Sequence, residues 1–267
     1  MLTWLVLAGV AGIVVYRFRT DVIIGYRYSR RAVAPIKTSL LPVPEPFRRA
    51  LDKYFPYYQQ LSPSEKVRFE RRVTSFIYRK RFVPRNIDAV TVEAKVLIAA
   101  TAVQLTFGLP EIYLRHFHTI LVYPTDYYST ITKQYHRGEV NPMFGIIVLS
   151  WQSFVDGFIS PDSGLNLGLH EMAHALRLEN IIRNEEYQFF DSELLDTLDS
   201  IAHRVCTAAD PTYQLFLREY ACTNVHEFFA VAVENFFERP RPLQETMPEL
   251  YTILQKLLNQ DPSAVAT

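Results

Sequence analysis

The residues best equipped for chemistry lie in Gly168-Leu169-His170-Glu171-Met172-Ala173-His174-Ala175-Leu176, which contains the pattern His-Glu-x-x-His. On an α-helix, residues four apart share a face, one turn above the other. His170 and His174 can therefore present two imidazoles to a single cation, and Glu171 starts at an adjacent angle from which it reaches a water held there. Two nitrogen ligands, an open coordination position and a carboxylate to accept a proton are the requirements of metal-assisted peptide hydrolysis, with zinc the expected ion. The flanking residues Leu167, Leu169, Met172, Ala173, Ala175 and Leu176 are apolar, which predicts a buried helix beneath a cleft. The competing account is a chance match on a core helix whose histidines are simply hydrogen-bonded.

Two histidines leave such a site incomplete. The metzincin continuation, a glycine and then a third histidine, is absent, because His174 is followed by Ala-Leu-Arg-Leu-Glu-Asn. The short-range Asn-Glu-x-x-x-Asp of thermolysin-like enzymes is absent too. Two downstream candidates remain. One is a helix carrying Glu193, Asp196, Asp199 and His203 at roughly helical spacing. The other is Glu227, near the start of an almost wholly apolar helix in which a carboxylate is costly unless paired or bound to metal. Glu227 has a plainer role open to it as well, as capping-box partner of Asn224. Glu234, two turns on, is placed to support a histidine ligand. His116, His118 and His136 lack a partnering carboxylate and read as ordinary histidines.

The elements that must hold these residues follow from pattern and composition. The chain has 267 residues, 49% of them apolar, which is enough for one large core or a core with a small lobe. Charges balance to zero, which gives no support for nucleic acid or a strongly acidic partner. Two cysteines, Cys206 and Cys222, are too few for a disulfide framework; a reducing compartment fits best, with one disulfide left open. Residues 1–16 carry no charged side chain, and Arg17, Arg19, Arg27, Arg30, Arg31 and Lys37 follow. This predicts a membrane-anchor helix over 1–20 with the body on the cytoplasmic side of a bacterial inner membrane, the alternative being a cytoplasmic protein. A basic, proline-rich linker is expected over 21–46 and a catalytic domain over 47–262.

Within that domain a short helix is expected near 46–58. A second starts at Ser62, with Pro63 in its first turn and Glu65 closing a capping box. Val67, Val73, Phe76 and Ile77 of this helix are expected inward, opposite a solvated basic face of Arg68, Arg71, Arg72, Arg79, Lys80 and Arg81. Residues 88–107 read as a buried helix stopped by Gly108-Leu109-Pro110. Residues 120–123 and 145–150 read as strands, the second a candidate edge for an extended peptide. The polar run 125–145 reads as a loop over the cleft.

The segment Tyr220-Ala-Cys-Thr-Asn-Val-His-Glu-Phe-Phe-Ala-Val-Ala-Val-Glu-Asn-Phe-Phe-Glu-Arg-Pro240 resembles the signature of the Mlc titration factor A family of zinc-dependent peptidases. Arg79-Lys-Arg-Phe82, Ile120-Leu-Val-Tyr-Pro124, Val148-Leu-Ser-Trp151 and Leu169-His-Glu-Met-Ala-His174 agree in order and spacing. The resemblance implies an α+β, mostly helical zincin fold with a small sheet, similar to the catalytic domain of anthrax lethal factor. It implies His170, His174 and Glu227 as ligands of a zinc ion, Glu171 as general base and Tyr220 as hydrogen-bond donor to the oxyanion. It also implies a peptide or protein substrate, and a repressor-type regulatory partner as the alternative role. The chain departs from the family at Ala175-Leu176-Arg177, often Gln-Leu-Asp, and at Asn224-Val225-His226, often Asp-Pro-Ala. These departures spare the ligands and touch the surrounding shell.

Overall fold

A computed structural model describes residues 42–129, 133–159, 164–182, 188–208, 213 and 216–265. The expected anchor over 1–20 and nearly all of the linker over 21–46 lie outside them. Among the described residues, no helix is long and apolar enough to cross a membrane. The expected domain over 47–262 falls within the unit Pro42–Thr267.

The helix expected near 46–58 is two helices, α1 (Glu45–Tyr54) and α2 (Pro56–Gln60). Pro56 has no N–H to continue the ladder, and Phe55 before it is extended at φ −119°, ψ 92°. The next, α3 (Pro63–Arg79), starts at its predicted capping box, with the Ser62 N–H donating to Glu65 Oε2 at 3.0 Å. After strand β1 (Arg81–Pro84) comes α4 (Val92–Thr106), apolar on every side and buried over most of its length, as predicted.

The basic face of α3 is not simply solvated. Arg72 is buried and donates to the carbonyls of Thr106 (2.8 Å) and Phe107 (3.0 Å) at the C-terminus of α4. Lys80 is buried too, its Nζ donating to Leu114 O and Phe117 O, and burial pushes its amine down to about 7. Val67, expected inward, is 46% exposed instead. Carbonyls at the end of α4 have no partners within the helix, so a guanidinium that satisfies them and the helix dipole at once is drawn into the core.

The sheet comprises β1, β2 (Thr119–Tyr123), β5 (Gly138–Asn141) and β6 (Ile146–Ser150), in the order β1-β2-β6-β5. The first three neighbours run parallel, and β5 is antiparallel to β6. A separate hairpin joins β3 (Tyr127–Ser129) and β4 (Gln134–His136). Both predicted strands are present, but the proposed edge is not one: β6 is paired on both sides. The edges are β1 and β5, the latter in the polar run 125–145 that reads as a loop. A four-residue edge strand with no fully buried residue lacks the apolar alternation that identifies strands.

After β6 the chain continues through α5 (Trp151–Ile159), α6 (Leu167–Ile182), α7 (Ser192–Ala208), α8 (Val225–Glu238), α9 (Pro240–Thr246), α10 (Pro248–Leu258) and α11 (Pro262–Val265). Helix α6 packs against α4, α8 and the β5 and β6 strands, so the His-Glu-x-x-His helix is central to the core. Met172, Leu176, Ile98, Phe229 and Phe236 share one buried cluster with it.

Cys206 on α7 and Cys222 in a 3-10 turn (Glu219–Thr223) form a disulfide. Disulfides persist in oxidising compartments and are rare in the cytosol, so the pair runs against the expectation of a reducing compartment. Closing a loop with a sequence separation of 16 stabilises by about 3 kcal/mol in the chain-entropy account. The double variant Cys206→Ser/Cys222→Ser is therefore expected to lose that much in urea unfolding at fixed metal content, and an unchanged midpoint would contradict the pairing.

Candidate metal centre

Asn166 caps α6, its Oδ1 accepting from Leu169 N at 3.0 Å, and one turn of helix then separates His170 from His174. Their Nε2 atoms lie 3.1 Å apart. From α8, Glu227 Oε2 comes within 3.2 Å of His170 Nε2 and 3.3 Å of His174 Nε2. One ligand atom from each of the three residues falls within 4.8 Å of the others. Among the described residues no other trio of His, Cys, Asp and Glu comes together in this way. The donor set suits a cation: two imidazole nitrogens face each other, and Glu227 Oε2 is buried with no aligned hydrogen bond. Without a positive charge between them these lone pairs oppose one another.

The local sequence explains how Glu227 reaches this point. Asn224 caps α8, its Oδ1 accepting from His226 N (2.9 Å) and Glu227 N (3.0 Å). That makes Glu227 the third helical residue, where the positive helix terminus favours a carboxylate. Its side chain turns to the histidines rather than back to Asn224. Burial pushes its carboxyl up, but the contacts with His170 and His174 outweigh this and hold it well below the usual carboxylate range. Burial likewise lowers His170, against which Glu227 and Glu234 raise the imidazole to about 10.

Glu171 is 5% exposed, and burial pushes its carboxyl up to about 7 against the opposing pull of His170 and His174. Gly138, the first residue of the edge strand, abuts this carboxylate: a Cβ there would lie 2.3 Å from Glu171 Oε1. Tyr220 sits on the 3-10 turn, its ring centroid 6.1 Å from that of His170. Partial burial, then the charge of Glu227, push its hydroxyl up to about 12, so it is a donor at neutral pH.

Glu234 lies beneath the site, 2% exposed. Its Oε1 is 2.5 Å from His170 Nδ1 and its Oε2 accepts from Arg218 Nη2 at 2.5 Å. A proton on Nδ1 facing this carboxylate leaves the Nε2 lone pair directed into the site.

The second candidate group is not assembled. Asp199 pairs with Arg177, whose Nη2 donates to both carboxylate oxygens at 2.7 and 2.8 Å. His226 is half-buried, and burial, then the charges of Arg177 and His174, lower its imidazole. His116 Nε2 lies 2.5 Å from Pro142 O and His118 Nδ1 2.9 Å from Thr119 Oγ1, as ordinary histidines do. Arg218 and Gly138 have no signal in the local sequence: an Arg-Gly-Glu in a polar run says nothing of a distant buried carboxylate.

The profile of a family described as glucose-regulated metallo-peptidase M90 matches residues 27–258. The chain belongs to this family. An uncharacterized protein of Synechocystis (slr2042) is 30% identical to this metallo-peptidase M90 chain over 83% of it and 86% of the relative. A protein of Pectobacterium atrosepticum named Mlc titration factor A is 28% identical over 78% of this chain and 84% of its own length. A namesake from Yersinia pestis is 27% identical, with coverages of 78% and 83%. The mostly helical α+β architecture agrees with the fold expected from the resemblance.

Proposed function

We propose that the protein is a zinc-dependent peptidase in which His170, His174 and Glu227 hold the ion. The convergence of these donor atoms beside the buried Glu171 carries the reading. Bound there, zinc supplies a Lewis acid and lowers the pKa of water toward neutrality. Strand β5, at an edge of the sheet among the described residues, offers main-chain groups to an extended peptide, as strand addition requires. Glu171 takes a proton from the attacking water at its carboxylate and returns it to the leaving amine nitrogen. The Tyr220 hydroxyl donates to the carbonyl oxygen as negative charge develops there.

The test is digestion of a mixed peptide library by protein of measured zinc content, with a chelator-treated sample beside it. Cleavage that disappears on metal removal and returns with zinc is the expected result; zinc-loaded protein without cleavage counts against it. Glu234→Gln is expected to weaken zinc binding by about 10- to 100-fold in chelator competition. Equal affinity would remove Glu234 from the site's support.

A second reading rests on the name shared by two relatives, Mlc titration factor A. In it the protein binds a repressor-type partner and sequesters it. Stoichiometric binding of such a partner by the zinc-loaded wild type, with no cleavage of it, would favour that role. A membrane anchor through residues 1–20 belongs to the same set of proposals, motivated by the uncharged run at the N-terminus; the basic residues after it favour the cytoplasmic side, and the Cys206–Cys222 disulfide weighs against it.

A further inference from the structure

The residue that opens the Tyr220 turn has a backbone suited to glycine. Arg218 lies at φ 69°, ψ 145°, a region L-residues with a Cβ rarely enter. Leu217 on one side and Ala221 on the other are buried, and Ala221 N donates to Arg218 O at 3.1 Å to close the turn. Such a conformation persists only where the surroundings hold it. The strongest hold is the side chain itself: Arg218 Nη2 is 2.5 Å from Glu234 Oε2, and Glu234 is nearly inaccessible to solvent. The other oxygen of the same carboxylate meets His170 Nδ1. A glycine at 218 would relax the backbone but leave a buried carboxylate oxygen without its cation.

We infer that Arg218 is a positioning residue that locates the Tyr220 hydroxyl relative to His170. Glu234 serves as the common reference. One oxygen orients a ligand imidazole, and the other anchors the guanidinium from which Tyr220 is suspended two residues later. Thr223 Oγ1, donating to Tyr220 O at 2.8 Å, and the Cys222–Cys206 bridge hold the far end of the turn. With Arg218 in place the turn is held at both ends, and without it at one. The inference rests on the peptidase reading, in which Tyr220 acts on the carbonyl oxygen.

The experiment compares the full chain with Arg218→Met, Arg218→Gly and Arg218→Lys, alone and combined with Tyr220→Phe. Zinc affinity, kcat and KM are measured for each, and hydrogen exchange over residues 219–223 is followed in the metal-free proteins. Arg218→Met and Arg218→Gly are expected to lower kcat by about 10- to 100-fold with KM little changed. Arg218→Lys recovers part of the loss. In the Tyr220→Phe background the Arg218 substitutions add nothing further, because they act through the same hydroxyl. Exchange in the turn rises while that of α6 does not.

Losses that add to Tyr220→Phe, or a loss of zinc affinity with no change in kcat at saturating zinc, overturn the proposal. They would mean that Arg218 serves the imidazole alone. Full activity of Arg218→Gly overturns it as well. Should the wild type, loaded with zinc, cleave nothing, the peptidase reading fails and the exchange data decide separately. Faster exchange in the turn then still supports the clamp, and unchanged exchange overturns it.

Discussion

Glu171→Gln is expected to bind zinc as the wild type does and to lose peptide turnover by about 10²- to 10⁴-fold. The amide keeps the shape of the carboxylate but cannot accept a proton, and Glu171 is not one of the three residues whose donor atoms converge. The same substitution should stabilise the metal-free protein. The folded-state pKa of Glu171 is raised to about 7 from an ordinary 4.5, chiefly by burial. The folded state therefore holds this proton more tightly than the unfolded state does, and stability falls as pH rises from 4.5 through 7. In metal-free samples the advantage of Glu171→Gln over wild type should be absent at the acid end of that range and full above it. Melting curves across this range, with metal content and kcat on the same preparations, check both halves. A variant that keeps full turnover would sink the assignment of the base.

Gly138→Ala tests the same carboxylate from strand β5. The new methyl would stand 2.3 Å from Glu171 Oε1 and 2.6 Å from Cδ and Cγ. The atoms that must yield are those of the Glu171 side chain from Cγ outward, not backbone, so that carboxylate is what moves. A retreat of about 1 Å is enough to reach ordinary contact, and a misplacement of that size in a catalytic group costs about 10²-fold. We expect kcat to fall by about that factor, with zinc content and melting temperature little changed. Combined with Glu171→Gln, the alanine should have no further effect. Wild-type kcat in the single variant would show that Glu171 has room the structure does not indicate, and a large loss of stability would show that the strand had moved instead.

Several parts of the protein were legible in the chain because their signals are local. The His170–His174 spacing is one helical turn, so their shared face follows from the pattern. Ser62, Pro63 and Glu65 set the start of α3 through atoms within four residues of each other. The mostly apolar run of α4 could only be buried. Glu227 stood out as a carboxylate among phenylalanines, although spacing alone left the group around Asp199 nearly as strong a candidate. Arg177 decides against that group by taking Asp199 for itself, and no reading of either helix alone reveals it.

What the sequence determined by itself is the chemistry on offer and the helices that carry it, since capping and the four-residue period depend only on near neighbours. The tertiary structure decided which distant groups meet: Glu227 with the two histidines, Arg218 with Glu234, Cys206 with Cys222, Gly138 with Glu171. It also decided that β5 rather than β6 lies at an edge of the sheet, and that Arg72 and Lys80 turn inward. Each of these turns on a long-range balance, in which a buried charge, an unpaired carbonyl or an unfilled Cβ position is tolerated only because a residue far along the chain compensates it.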